Sequence, residues 1–186
     1  MKKVIFRKSI AAEEYVNKHI CEKIKKILKE YKKKKLLRKR SNQDGVQTVN
    51  VEDKEIANFL LSCFADCIKK NYKTKKELNC TLNNFWINEN KKGSKNAAHT
   101  HPESDFSGVY YVEVPKDSGN IRFEQFDLHD QNLGHHFFDD EFWDAYNIFN
   151  KQYQFIIFPS NYVHEVEVSK SAKARISVSF NVTIQR

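Results

Sequence analysis

The chain has 186 residues, 40% hydrophobic and 13% aromatic, enough to bury one core and too apolar for a globally disordered protein. Five glycines and three prolines exclude collagen-like and proline-rich architectures, and no apolar run approaches the roughly 18 residues of a membrane helix. The net charge of +8 is unevenly spread: residues 1–40 hold 16 Lys and Arg against 4 Asp and Glu, and residues 41–186 hold 16 against 20.

Basicity is therefore a property of the first segment. Its opening residues lack the apolar stretch of a secretory signal. Cys21, Cys63, Cys67 and Cys80 form no CxxC pair. The expectation is a cytoplasmic protein with reduced, buried thiols. Residues 9–40 predict a basic helical arm. Ile10, Ile20, Ile24, Ile27 and Leu28 supply a one-sided apolar stripe, lysines fill the other faces, and Lys32–Lys35 with Arg38–Arg40 end the segment. A solvated helix face is expected there. Nucleic-acid contact is the less favoured alternative, because aromatics on which bases could stack are scarce in that segment.

Residues 41–50, SNQDGVQTVN, carry turn chemistry and read as a loop. A second helix is predicted from Val51 or Glu52 to Tyr72 (51–72), with Ile56, Phe59, Leu60, Cys63, Phe64, Cys67 and Ile68 recurring at helical spacing. After Asn79 the pattern changes to short segments rich in Phe, Tyr, Val and Ile, at 82–89, 108–114, 120–126, 153–158, 162–168 and 174–184. Six short strands in about a hundred residues indicate an antiparallel sandwich or barrel. Residues 127–150 break the rhythm with an acidic, aromatic insertion, the kind of segment that serves as a lid or substrate loop. It contains His129, His135 and His136, read as part of a His-rich lid in preference to a second metal site. The domain expectation is a basic helical arm at 1–40 and a domain at 41–186 that includes helix 51–72 and insertion 127–150.

The strongest local signal is His99-Thr100-His101. On an extended strand, residues i and i+2 point to one side, so two imidazoles can grip one metal ion. His164, just past the apolar run 155–158, offers a third ligand, and imidazole suits iron, zinc or copper. In the strand ARISVSFNVTI, alternation puts Arg175, Ser177 and Ser179 on one side and Ile176, Val178 and Phe180 on the other. An Arg inside such a strand is costly to bury unless it is paired, and a guanidinium suits bidentate capture of a carboxylate. A surface salt bridge is the alternative reading of Arg175.

The ordered blocks NFWINENKKGSKNAAHTHPESDFSGVYYVEVP (84–115), SGNIRFE (118–124), FIIFPSNYVHEVEV (155–168) and RISVSFN (175–181) resemble the iron(II)/2-oxoglutarate-dependent dioxygenases. They resemble more closely a bacterial and phage branch of the 2-oxoglutarate/Fe(II) oxygenases that carries an HxH motif. SNQDGVQT (41–48) is similar to that branch's loop, and the resemblance spans roughly 41–184. It implies a mainly β fold with N-terminal helices (α+β), a double-stranded β-helix of jelly-roll, cupin-like form. It implies one Fe(II) held by His99, His101 and His164, with places for the cosubstrate 2-oxoglutarate and for O₂. Most of the superfamily has a carboxylate where His101 stands, so Glu103 and Asp105 are kept as alternative second ligands, although Pro102 would then sit mid-strand. By the same resemblance Arg175 binds the distal carboxylate of 2-oxoglutarate, assisted by Ser177, with Asn88 and Tyr110 as further contacts. A plain core aromatic is the other reading of Tyr110, and Trp86, Phe123 and Phe158 are read as core.

The activity implied is hydroxylation of a small-molecule or peptidyl substrate with release of succinate and CO₂, without a membrane partner. Three rivals stand beside it: a three-histidine cupin dioxygenase that needs no 2-oxoglutarate, a dealkylating dioxygenase acting on nucleic acid, and a non-catalytic jelly-roll binding module.

Overall fold

The structure is a computed structural model that describes residues 10–75, 77–124 and 145–185. The part of the acidic insertion that holds His129, His135 and His136 lies outside the described residues. No helix among the described residues is long and apolar enough to cross a membrane.

Two antiparallel sheets build the molecule. The larger contains β1 (Ala11–Glu14), β3 (Val46–Gln47), β4 (Cys80–Asn90), β6 (Phe106–Glu113), β9 (Gln154–Pro159) and β11 (Arg175–Ile184), in the spatial order β1-β9-β6-β11-β4-β3. The smaller contains β2 (Asn42–Gln43), β5 (Lys95–His99), β7 (Ile121–Glu124), β8 (Ala145–Ile148) and β10 (His164–Val166), in the order β2-β5-β10-β7-β8. Neighbours in sequence are seldom neighbours in space, which is the winding of a double-stranded β-helix.

Period-two alternation gives the large sheet two different faces. Phe85, Ile87, Tyr110, Val112, Phe155, Ile157, Val178, Phe180 and Val182 point to one side and pack under α1 (Lys18–Lys33) and α2 (Lys54–Asn71). Val109, Tyr111, Ile156 and Phe158 point to the other and meet Ile121 and Phe123 of the small sheet. The helices complete the first layer with Ile20, Ile24, Leu28, Ile56, Leu60 and Phe64, all buried. Each such side chain contributes roughly 1.5–3 kcal/mol on burial. Cys63 and Cys67 lie one helical turn apart in this layer, unpaired, and burial pushes both thiols up to about 12.

The chain between residues 9 and 40 departs from the single predicted helix. Residues 11–14 pair with β9, from Ala11 opposite Ile157 to Glu14 opposite Gln154. Asn17 then caps α1, its side chain accepting from the Ile20 N–H at 3.0 Å. The helix stops at Lys33, Lys35 adopts a left-handed conformation (φ 56°), and Leu37 bridges to Thr48. A free strand edge and the offered caps outweigh the helix propensity of the lysine-rich run. Residues 41–50 likewise form more than a loop: β2 joins the small sheet beside β5, and β3 joins the large sheet beside β4. The predicted helix at 51–72 is α2, started by Asp53, which accepts from Glu55 N–H and Ile56 N–H.

Gly108 marks the tightest approach in the large sheet. A Cβ there would lie 2.2 Å from Phe180 Cζ and 2.7 Å from the Ile156 carbonyl oxygen. Gly108→Ala is expected to cost about 1–3 kcal/mol by overpacking. Chemical denaturation checks this, and an unchanged midpoint would refute the close packing of β6 on β11 and β9.

Candidate metal centre and anion pocket

Three histidines converge between the sheets. His99 ends β5 and His164 begins β10, and the two strands pair with these residues directly opposite each other. His101 lies past the end of β5, not on a strand as its spacing predicted. It is held instead by a turn: its N–H donates to the Ser160 carbonyl at 2.8 Å, and Ser160 N–H donates to the Asp105 carbonyl at 3.0 Å. Ring centroids are 4.3 Å apart for His99 and His164, 4.9 Å for His99 and His101, and 5.3 Å for His101 and His164. One ring nitrogen from each residue lies within 4.8 Å of the other two.

Proton placement favours a metal at this point. Nδ1 of His99 lies 2.7 Å from the Ala97 carbonyl, and Nδ1 of His164 lies 3.0 Å from the Tyr162 carbonyl. A carbonyl can only accept, so Nδ1 carries the proton and the Nε2 lone pair is left free. Burial and the neighbouring His99 and His101 rings push His164 down to about 3, while burial, His99 and Arg38 push His101 down to about 4. Burial also lowers His99. All three are neutral at neutral pH, the state in which imidazole ligates. Phe158 and Phe123 pack against the His164 ring at 4.6 and 6.0 Å, and Trp86 sits 5.7 Å from His101, so the centre has an apolar wall.

The carboxylates kept as alternative ligands stand elsewhere. Glu103 is exposed and outside the three-histidine cluster. Asp105 accepts from the Ile184 N–H at 2.8 Å, and its own N–H donates to the Val182 carbonyl at 3.1 Å, so it clamps the turn to β11.

Behind the histidines a pocket is lined by Asn88, Asn96, Tyr111, Arg175, Ser177 and Ser179. Register explains the grouping: Ser177 lies opposite Asn88 on one side and Tyr111 on the other. Arg175 is only 2% exposed and among the largest fully enclosed side chains. Among the described residues its polar and ring contacts are one Nη1 bond to the Gly119 carbonyl at 2.6 Å and the Tyr111 ring at 5.9 Å, and Nε has no acceptor. No acidic side chain pairs with it among the described residues. Asn88 donates from Nδ2 to Ser179 Oγ at 3.0 Å, while its Oδ1 has no donor. A buried, unpaired guanidinium is expensive, and burial lowers its proton affinity. An anionic ligand from outside the chain would remove that cost. Three neutral nitrogen donors beside an orphaned guanidinium therefore fit a divalent metal with a dicarboxylate bound next to it.

Tyr110 is the correction. Its ring is fully buried on the helix side of β6, 5.1 Å from Phe59, and its hydroxyl donates to the Tyr15 carbonyl at 2.9 Å. A one-residue change of phase turns a side chain to the opposite face of a strand, and the residue facing the pocket is Tyr111. Trp86, read as core, also borders the pocket, and Asn96 reaches it from β5. The alternation of YYVEV allowed either phase. The inward phase follows from the neighbouring Val109, which packs with Phe158 and Phe123.

A family model described as "Putative 2OG-Fe(II) oxygenase" matches residues 84–181. Among solved structures, the fold is similar to a prolyl-4-hydroxylase from Pseudomonas putida, at 12% identity and a TM-score of 0.61 over 96% of this chain and 93% of that one. It is similar to the non-heme alpha ketoglutarate dependent carbocyclase SnoK from nogalamycin biosynthesis, at 9% identity and a TM-score of 0.67 over 96% and 80%. It is also similar to HygX from Streptomyces hygroscopicus, solved with nickel and 2-oxoglutarate bound, at 9% identity and a TM-score of 0.62 over 95% and 83%. Likeness at these identities establishes the double-stranded β-helix fold. No curated protein sequence gives a significant match. The family match covers more than half of the chain, which belongs to the 2OG-Fe(II) oxygenase family.

Proposed function

We propose that this oxygenase hydroxylates its substrate with release of succinate and CO₂, using His99, His101 and His164 as the three protein ligands of Fe(II). In this reading Arg175 takes the distal carboxylate of 2-oxoglutarate, assisted by Ser177 and Asn88. The observation that carries the reading is the buried Arg175, which has no carboxylate partner among the described residues, in the same pocket as three lone-pair-bearing imidazoles. Bound together, iron(II) and 2-oxoglutarate supply O₂ activation and oxidation of a substrate C–H bond, one oxygen atom entering the substrate and one the succinate.

The chain's own residues orient and shield. The Ala97 and Tyr162 carbonyls fix the His99 and His164 tautomers, so that Nε2 faces the centre. The Ser160 carbonyl fixes the turn that carries His101. Phe123, Phe158 and Trp86 exclude water from one wall. Arg175 offers its unpartnered Nε–H and its charge to a carboxylate, and replacing the usual acidic metal ligand by His101 leaves the site one charge more positive, which favours a dianion. Residues 41–186 hold the oxygenase site in this reading, and β1 and α1 complete the large sheet and the helix layer that support it. A reducing compartment such as the cytoplasm suits the four unpaired cysteines.

A three-histidine ligand set also suits a cupin dioxygenase that uses no 2-oxoglutarate. O₂ uptake with iron(II) separates the two. We expect consumption to require 2-oxoglutarate and to match succinate release. Oxidation of a small thiol without 2-oxoglutarate would support the cupin reading instead.

A further inference from the structure

A second cleft of about 540 Å³ shares Trp86, His99 and His101 with the first pocket and is bounded by Arg38, Arg40, Gln47, Asn83 and Asn181 among others. Its volume suits a small molecule. The Arg38 guanidinium lies 5.0 Å from the Trp86 ring centre, and Trp86 packs in turn on His101. With its amide oriented oxygen-inward, the buried Gln47 accepts from Arg38 Nε at 3.3 Å and from Trp86 Nε1 at 3.1 Å. Arg38 is thus oriented by three groups: the indole face, the Gln47 oxygen, and its own backbone N–H on the Gln47 carbonyl. Its terminal nitrogens are left without a protein acceptor among the described residues. Burial and the nearby Arg40 charge both lower its proton affinity. Two like charges side by side, neither with an acidic partner among the described residues, mark a place where an anion gains attraction from both. Glu103 also borders the cleft, yet it pairs with neither arginine.

We propose that Arg38 and Arg40 form the anion-binding wall of the substrate cleft, so that the molecule oxidised at the histidine centre is a small one bearing an oxyanion group, carboxylate or phosphate. The proposal rests on the oxygenase reading only for what happens at the histidines. The fixed guanidinium of Arg38 receives the anion, Arg40 adds charge at the mouth, and the side-chain amides of Asn83 and Asn181 supply polar contacts around the rest of the molecule. A small molecule is favoured over a nucleic acid because the cleft's volume matches one, and because Trp86, the one Phe, Tyr or Trp among the described residues that line it, is covered by Arg38 and so offers no free face for base stacking.

The test follows the Trp86 indole N–H by NMR in the ¹⁵N-labelled full chain, and the same titration in Arg175→Met removes any contribution from the site at Arg175. Inorganic phosphate and acetate are the probes, and Trp86→Phe assigns the signal. We expect at least one probe to shift the signal saturably. We expect Arg38→Gln combined with Arg40→Gln to weaken it about tenfold or more, and Arg38→Lys with Arg40→Lys to restore most of the affinity. A silent Trp86, an affinity unchanged in the glutamine variant, or binding of a single-stranded decanucleotide where neither probe binds would each overturn the proposal. Failure of the oxygenase reading is read separately, as absent 2-oxoglutarate-dependent succinate formation, and leaves the probe titration interpretable.

Discussion

Replacing Arg175 by methionine is expected to weaken 2-oxoglutarate binding by about a hundredfold or more while leaving the ligand-free protein no less stable. The two effects come from one fact. The guanidinium is buried with a single carbonyl contact and no carboxylate among the described residues, so its desolvation is poorly compensated until a ligand arrives. Removing one partner of a buried, hydrogen-bonded charge pair costs about 2–5 kcal/mol, or roughly 30- to several-thousand-fold in affinity. Replacing a poorly paired buried ion with an apolar side chain of similar length is neutral or stabilising, by up to about 4 kcal/mol. Arg175→Lys keeps the charge but loses the planar fork, and should fall between the two. Calorimetric titration and thermal unfolding of the same samples provide the check. A variant that loses more than about 2 kcal/mol of stability and binds 2-oxoglutarate normally would make Arg175 a structural residue.

His101→Ala and His164→Ala are each expected to abolish stoichiometric iron(II) binding, whereas Glu103→Ala should leave it intact. Even the loss of an outer hydrogen-bond partner of a ligand costs about 10- to 100-fold in metal affinity, and loss of a ligand should exceed that. The alanine variants need not unfold, because each ring leaves a space beside a pocket and not within the packed helix-side layer. Anaerobic titration followed by metal analysis decides. Iron retained in His101→Ala and lost in Glu103→Ala would transfer the second position to the carboxylate.

The parts of the fold that were legible in the sequence are those with a strong local period. The stripe from Ile56 to Ile68 became α2, and the alternation in ARISVSFNVTI put Arg175 and Ser177 on the face opposite Val178 and Phe180. Residues whose structure depends on distant partners were less legible. Ala11–Glu14 is a strand because β9 offers a free edge, and nothing local to AAEE says so. His101 reaches the centre from a turn fastened by Ser160, fifty-nine positions later, so the strand argument for HxH arrived at a convergence that the turn produces. Tyr110 and Tyr111 are adjacent and chemically equal, and only the phase of β6 against both layers separates them. Arg38 was visible only as one charge in a basic run, because its role depends on Trp86 and Gln47, which fold up beside it.

Electron density of the anaerobic protein with iron(II) and 2-oxoglutarate tests the central claim most directly. The account predicts a metal bonded to Nε2 of His99, His101 and His164, with the far carboxylate of 2-oxoglutarate on the Arg175 guanidinium. A metal ligated by Glu103, or a 2-oxoglutarate carboxylate bound away from Arg175, would contradict it.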